Sequence, residues 1–203
     1  MGKLLRIAVI DSGVNPSHPH ISRVDGGFPD GDFLDRLGHG TAVMAAIQEK
    51  APDAEYFAVR VFDRELRTGI ETLIGALEWC VDHQMDIVNL SLGTPKHAER
   101  FAPFVSRVIL VSAAGMFPGD LPGVIRVAPD PEIARDQYRL DGETFFASGY
   151  PRPMPGVPRE RNLSGVSFAV ANMTGFVARA FEDLTERSFR SAFAKLESTK
   201  REA

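Results

Sequence analysis

Apolar residues along the chain form short continuous runs that alternate with helical patterns. The runs at residues 4–10, 56–62, 86–91, 108–113 and 123–128 have the length and makeup of buried parallel strands. Apolar residues with helical spacing occupy residues 40–49, 70–83, 99–106 and 168–183. This alternation predicts an α/β fold with three layers, in which helices cover both faces of an open, mostly parallel sheet.

The predicted helix over residues 70–83 has the most regular pattern, with apolar residues at 70, 73, 74, 77 and 81. Thr68 precedes it and Glu71 follows three residues later, a spacing typical of a capping box. We therefore expect Thr68 to cap the start of this helix.

The last third of the chain has weaker signals. Residues 129–165 contain six prolines and several charges, which predicts loops with one short strand near residues 144–147. Beyond Leu184 a polar segment predicts a surface helix that ends in a frayed tail. The 203 residues suit a single domain over residues 1–203, with its core at 4–183 and the helix and tail at 184–203.

Charge and composition narrow the classes of partner. A net charge of −4 and a pI near 5.7 give no basic surface for nucleic acid. No apolar run approaches the ~18 residues of a membrane span, so we expect no membrane partner. The single Cys80 cannot form an internal disulfide, which favours a reducing compartment. Because residues 1–10 are too short for a signal peptide or a pro-segment, we expect a cytoplasmic protein that folds without a pro-segment.

Three segments carry residues suited to nucleophilic catalysis: Asp11-Ser12-Gly13-Val14, Gly38-His39-Gly40-Thr41 and Gly165-Val166-Ser167-Phe168-Ala169. Each places an acid, a base or a nucleophile at the edge of a predicted strand or helix. The chain order Asp, His, Ser is one of three orders known for such a triad. It differs from the order of chymotrypsin-like enzymes and from that of α/β-hydrolases.

These segments, together with residues 79–93, 108–115 and 117–119, resemble the subtilisin-like serine protease (subtilase) family. The resemblance implies that Asp11, His39 and Ser167 are catalytic. It further implies that the Ser167 backbone N–H binds the oxyanion and that the Phe117–Pro118 bond is cis. The implied substrate-binding residues are Ser91, Leu92, Gly93, Ala113, Ala114 and Gly115.

The chain departs from the family at several positions. Met116 stands where the family has the asparagine that completes the oxyanion hole, and Val166 stands where it has threonine. We expect another donor, such as Asn162, Asn172 or a partner's side chain, to be able to substitute. The loop that walls the primary specificity pocket is almost absent. The calcium-binding loop is also missing, so we expect no structural metal and no cofactor.

Two functions remain open from the sequence. The first is a serine endopeptidase that cleaves a peptide or protein substrate with narrow specificity, such as in precursor-peptide processing. For this enzyme we expect a weak turnover, because Met116 offers no donor to the oxyanion. The alternative is a catalytically impaired pseudoprotease that binds a peptide or acts as an assembly subunit with a partner subunit. A nucleotide-binding function is disfavoured, since no glycine fingerprint or P-loop follows a predicted strand.

Overall fold

A computed structural model describes residues 4–29, 31–182 and 188–199. The strands in these residues are β1 (Arg6–Asp11), β2 (Gly26–Phe28), β3 (Glu55–Arg60), β4 (Ile87–Leu90), β5 (Ile109–Ala113), β6 (Ile125–Pro129), β7 (Tyr138–Asp141) and β8 (Thr144–Ala147). The helices are α1 (His39–Gln48), α2 (Ile70–Asp82), α3 (Ala98–Phe101), α4 (Val166–Glu182) and α5 (Phe189–Thr199).

The strands form one sheet in the order β2-β3-β1-β4-β5-β6-β8-β7. Every neighbouring pair is parallel except β7 and β8, which are antiparallel. The predicted α/β class with a mostly parallel sheet is therefore confirmed. Helical connections between the parallel strands supply the crossovers that parallel pairing requires.

Alternation of side chains along each strand divides the interior into two cores. In β1, Ile7 and Val9 join the core on one face of the sheet, whereas Ala8 and Ile10 join the core on the other. Helices α1 and α4 cover the first face, and α2 covers the second. The sheet thus lies between two helical layers, as the sequence predicts.

The sequence did not predict strands β2 and β7, which lie at the two edges of the sheet. β2 contains two glycines in three residues, so it has little hydrophobic signal. β7 buries Leu140 but exposes its charged neighbours, and among the described strands it pairs with β8 alone. The predicted helix over 99–106 is shorter than expected, because α3 gives way at Ala102–Phe104 to a 3-10 turn containing Pro103.

The predicted capping box at Thr68 is wrong. Helix α2 has Gly69 as its N-cap residue and receives no side-chain capping hydrogen bond. The Glu71 carboxylate instead accepts from both terminal nitrogens of Arg100, at 2.8 Å each. The ion pair gives the glutamate two charge-assisted hydrogen bonds, whereas a capping box would give it one, so the glutamate turns towards the arginine.

Helix α5 packs against the core through one face rather than lying only on the surface. Ala192 and Leu196 are buried, and the Phe193 ring contacts Phe145 with centroids 5.3 Å apart. The Tyr138 hydroxyl donates to the Leu196 carbonyl at 2.8 Å. The frayed tail predicted after this helix lies outside the described residues. Among the helices described, none has the length and apolar character needed to cross a bilayer.

The sheet has a topological switch point at β1, which lies between β3 on one side and β4 on the other. Open α/β sheets bind ligands in the crevice at the carboxyl ends of strands where the order reverses. Asp11 is the last residue of β1, and Ser91 directly follows β4. The architecture therefore brings two of the predicted site segments to this crevice.

Candidate active site

Asp11 lies at the end of β1 and is only 1% exposed. Its Oδ1 atom accepts from the Ser12 N–H at 2.7 Å and lies 2.7 Å from His39 Nδ1. Because an ionised carboxylate only accepts hydrogen bonds, this contact places the imidazole proton on Nδ1. His39 Nε2 is then the nitrogen that can take up a proton.

The pKa of His39 is raised above its ordinary value of 6.5. Burial acts on this pKa most strongly and would lower it, since a charged imidazole is poorly solvated in the crevice. The hydrogen bond and charge of Asp11, together with the charge of Asp35, outweigh that effect. The site therefore favours the imidazolium, which is the form that a general base creates when it accepts a proton.

Asp35, which sequence reasoning missed, organises the loop before α1. Its Oδ1 atom accepts from the Ser12 hydroxyl at 2.8 Å and from the N–H groups of Leu37 and Gly38 at 2.9 and 2.8 Å. Its Oδ2 atom accepts from the N–H and the hydroxyl of Thr41, at 2.8 and 2.6 Å. Its position in the predicted loop before α1 could have indicated this role, because an aspartate in a loop commonly accepts from the N–H two residues later and forms an Asx-turn.

Close packing between the first two segments explains their glycines. A Cβ atom on Gly40, in the first turn of α1, would clash with the Gly13 carbonyl. Gly13 itself has φ +96°, a conformation that side-chain-bearing residues rarely adopt. The Gly40 N–H also donates to the Ser12 hydroxyl at 2.9 Å. These contacts hold the start of α1, and hence His39, against the end of β1.

Ser167 lies in the first turn of α4, next to the segment that follows β4. Its hydroxyl donates to the Ser91 carbonyl at 3.2 Å, and the Ser91 hydroxyl donates to the Ser167 carbonyl at 3.2 Å. The ring of Phe168 contacts the His39 imidazole, with centroids 5.4 Å apart. The structure thus brings Asp11, His39 and the Ser167 turn together. To be activated, the Ser167 hydroxyl must exchange its Ser91 partner for His39 Nε2.

The predicted substrate-binding residues extend two neighbouring strands. Ser91, Leu92 and Gly93 continue from β4, while Ala113 ends β5 and leads into Ala114 and Gly115. Since β4 and β5 pair in parallel, both extensions leave the sheet at the same edge. Buried Asn89, which sequence reasoning did not single out, donates to the Ser91 hydroxyl at 2.8 Å and accepts from α4 through Thr174 at 3.0 Å.

Met116 packs between these two segments. A Cβ atom built on Gly93 would lie 2.6 Å from both Cγ and Sδ of Met116, so the thioether covers the glycine directly. Phe117 then pairs with Thr94 through hydrogen bonds of 2.9 and 3.0 Å. The predicted cis bond at Phe117–Pro118 is confirmed. A thioether has no hydrogen to donate, so Met116 cannot replace the family's asparagine.

The two asparagines expected as replacement donors both donate hydrogen bonds to other parts of the protein. Asn162 donates its amide to the Arg152 carbonyl at 3.1 Å. Asn172 is fully buried, and its amide donates to the Ser148 and Tyr150 carbonyls at 2.8 and 3.0 Å. The N–H groups in the first turn of a helix have no carbonyl partner within that helix. The Ser167 N–H in the first turn of α4 is therefore the donor that this turn offers.

The residues that the structure describes offer neither a metal cluster nor a reactive thiol near the site. In the part of the chain that the structure describes, no group of three or more His, Cys, Asp and Glu side chains is arranged to hold a metal ion. Cys80 is fully buried in α2, and burial raises the pKa of its thiol strongly. A buried, protonated thiol is a poor nucleophile, so Cys80 serves packing.

A family profile and individual relatives both relate this chain to the same group of known proteins. A profile described as the Subtilase family matches residues 2–120. Subtilisin E of Bacillus subtilis (strain 168) is 31% identical over 85% of this chain and 52% of that protein. The Minor extracellular protease Epr of the same bacterium is 34% identical over 56% of this chain and 20% of that protein. The chain thus spans about half or less of these two relatives' lengths.

The fold has a close counterpart among solved structures. The crystal structure of a cold adapted subtilisin-like serine proteinase superposes with a TM-score of 0.75, covering 93% of this chain and 79% of that one. The two sequences are 20% identical, so this likeness concerns the fold.

Proposed function

Since the chain belongs to the subtilase family of subtilisin-like serine proteases, we propose that it is a serine endopeptidase with Asp11, His39 and Ser167 as its catalytic residues. The observation that carries the proposal is the buried Asp11–His39 pair, 2.7 Å apart, beside the Ser167 turn. An acid, a base and a hydroxyl at one crevice are the parts that acyl transfer from a peptide requires.

The reaction follows from the protons that each group can hold. His39 Nε2 takes the proton of the Ser167 hydroxyl as Oγ bonds to the peptide carbonyl carbon, and the carbonyl oxygen becomes an oxyanion. Asp11 stabilises the imidazolium that forms. His39 then gives its proton to the leaving amine as the C–N bond breaks, which leaves an acyl-enzyme. Water, deprotonated by His39, hydrolyses this ester and restores Ser167.

A fluorophosphonate probe tests this assignment directly, because it reacts with an activated serine. We expect labelling of Ser167 that is lost in Ser167→Ala and strongly reduced in His39→Ala. Peptide hydrolysis should fall about 10⁴-fold in Asp11→Asn. The losses should not add, since the three residues act together. Hydrolysis that survives at the wild-type rate in Ser167→Ala contradicts the proposal.

Met116 supports a low turnover. In subtilisin, removal of the side-chain donor of the oxyanion hole lowers kcat by about 10²–10³-fold. Met116 provides no such donor, and Asn162 and Asn172 are engaged elsewhere. The Ser167 N–H and the dipole of α4 then stabilise the oxyanion without that help.

A narrow substrate range, such as that of a precursor-processing enzyme, is part of the proposal. It is supported by Met116, which packs on Gly93 between the two substrate-binding segments and narrows the space there. Digestion of a denatured protein mixture, with the cut sites read by mass spectrometry, tests this range. Cuts after many residue types would contradict it.

The second candidate is a pseudoprotease that binds a peptide or acts as an assembly subunit with a partner subunit. It is favoured by Met116 and by the Ser167 hydroxyl, which donates to Ser91 rather than to His39. Binding of a peptide without probe labelling or hydrolysis would support this function and contradict the endopeptidase.

A cytoplasmic location completes the proposal. Cys80 is the chain's only cysteine and is buried, so stability does not depend on a disulfide within the chain. Fractionation of the producing cells, with the protein detected by antibody, tests this location. Recovery of the protein mainly from the culture medium would contradict it.

A further inference from the structure

A cavity of about 280 Å³ opens beside the candidate active site. The start of α1 supplies one wall through Thr41, Ala42 and Ala45, and the loop before α4 supplies another through Asn162 and Leu163. The cavity therefore touches both the helix that begins with His39 and the loop that leads to Ser167. Gly38, the residue before His39, lies at its edge.

A second cavity, of about 350 Å³, lies at the other wall of the site. It borders Leu92, Gly93 and Thr94, which belong to the substrate-binding segment or directly follow it. The two cavities share no lining residue. The first cavity thus borders the start of α1 and the loop before α4, whereas the second borders the predicted substrate strand.

The walls of the 280 Å³ cavity are largely apolar. Its apolar lining residues are Ala42, Ala45, Pro151, Met154 and Leu163. Met154 is 38% exposed and Leu163 is 50% exposed. Clustered exposed apolar side chains beside a concave surface mark a place where a partner or ligand is bound.

The polar groups of this cavity are largely engaged with the protein itself. The Asp35 carboxylate accepts from the Ser12 hydroxyl through Oδ1 and from the Thr41 N–H through Oδ2. Asn162 donates to the Arg152 carbonyl and accepts from the Leu163 N–H at 2.8 Å. The Arg152 guanidinium donates to the His20 carbonyl at 3.2 Å and pairs with Glu49 at 3.6 Å.

His20 adds no charge to the cavity at neutral pH. Burial, followed by the positive charge of Arg152, lowers the pKa of its imidazole below 6.5. A charged ligand would lose water here and gain few new partners, whereas an apolar side chain loses little. The lining therefore selects an apolar ligand.

We propose that this cavity binds an apolar side chain, of leucine or phenylalanine size, from one of the first two residues after the cut bond. The inference rests on the proposed function. A peptide that pairs with Ser91–Gly93 and presents its carbonyl to Ser167 continues past His39, which protonates the leaving amine. The next residues then lie over the cavity, which begins at Gly38. Its volume suits one large side chain rather than a whole small molecule.

The test uses peptides that are identical before the cut bond and vary at each of the two positions after it. We expect leucine and phenylalanine to raise kcat/KM by about 10- to 100-fold over glycine, and aspartate to give no gain. Ala42→Leu, which fills the cavity from α1, should reduce the leucine-to-glycine ratio to about threefold or less. Leu163→Ser, in the exposed loop, should also lower the ratio and serves if Ala42→Leu does not fold.

Val157→Ser is the matched control. Val157 is 40% exposed in the same loop as Met154 but does not line the cavity, so its leucine-to-glycine ratio should equal that of the wild type. A ratio that falls equally in Val157→Ser would mean that the loop as a whole, and not the cavity, sets the preference. That result overturns the proposal.

A substrate with p-nitroanilide as its leaving group separates this inference from the proposed function, because it has no residue after the cut bond. If p-nitroanilide and peptides are both cleaved but all ratios lie within twofold, the cavity proposal is overturned while the endopeptidase stands. If nothing is cleaved and Ser167 is not labelled, the endopeptidase fails. Peptide binding to Ser167→Ala then decides the cavity: about tenfold tighter binding with leucine supports it, and equal binding overturns it.

Discussion

Lys50 offers a quantitative test of how the two helices of the candidate site are held together. Its side chain is only 6% exposed, at the junction of α1 and α4. The ammonium donates to Asn172 Oδ1 at 2.7 Å and lies 3.6 Å from Glu49. The pKa of Lys50 is lowered from 10.5 to about 8, most strongly by burial and then by the charge of Arg135, against the opposing charge of Glu49.

The lowered pKa makes stability depend on pH in a defined direction. At pH 7 Lys50 is protonated in both states, and the buried charge costs about 3 kcal/mol relative to a fully solvated lysine. Between pH 8 and 10.5 the unfolded chain binds more protons at this residue than the folded chain does. The free energy of unfolding therefore rises with pH, and by about pH 9.5 this residue contributes a gain of about 2 kcal/mol.

The assay is denaturant unfolding of the wild type and of Lys50→Met at about pH 7, 8, 9 and 9.5. Subtracting the variant cancels the titration of the other groups, including Cys80. The loss of the Asn172 hydrogen bond in the variant adds an offset that does not depend on pH. Lys96→Met, which removes an exposed lysine instead of a buried one, is the matched control. The free energy of unfolding of the wild type minus that of Lys50→Met should rise with pH. A difference that stays constant or falls with pH would refute the reasoning.

Four further predictions concern the site. Because Asp11 and Asp35 raise the pKa of His39, NMR should show its imidazole titrating above pH 6.5, and kcat/KM should rise with pH through the same midpoint. Asp11→Asn should lower that NMR midpoint, and an unchanged midpoint in this variant would contradict the prediction. Asp35→Ala removes an acceptor of five hydrogen bonds and should lower the free energy of unfolding by about 2–4 kcal/mol and slow probe labelling of Ser167. Met116→Asn should raise kcat more than it changes KM if the amide reaches the oxyanion, and equal kcat in the two proteins would show that it does not. EDTA should leave the melting temperature unchanged, whereas a drop of several degrees that calcium reverses would reveal a bound metal.

Local sequence patterns were sufficient for the central strands and most of the helices. β1, β3, β4 and β5 are largely buried on both faces, so their sequences are apolar runs that can be recognised without any knowledge of their neighbours, and β6 was recognised although Arg126 interrupts its run. Edge strands β2 and β7 lack that burial and hence lack that pattern. The Thr68 prediction failed for the complementary reason, because Arg100, distant in the sequence, competes for Glu71.

What the sequence by itself determined was the class of fold, the family and the chain order of Asp11, His39 and Ser167, since each depends on residue types at short spacing. Only the tertiary structure decided which atoms those residues meet. Lys50 and Asn172 lie 122 positions apart, and Met116 covers Gly93 only because the turn after β5 folds back on the extension of β4. Contacts of this kind depend on strand order and on the path of loops, which no local periodicity encodes. The cavity beside His39 has the same origin, because its walls come from separate parts of the chain that meet at the carboxyl edge of one sheet.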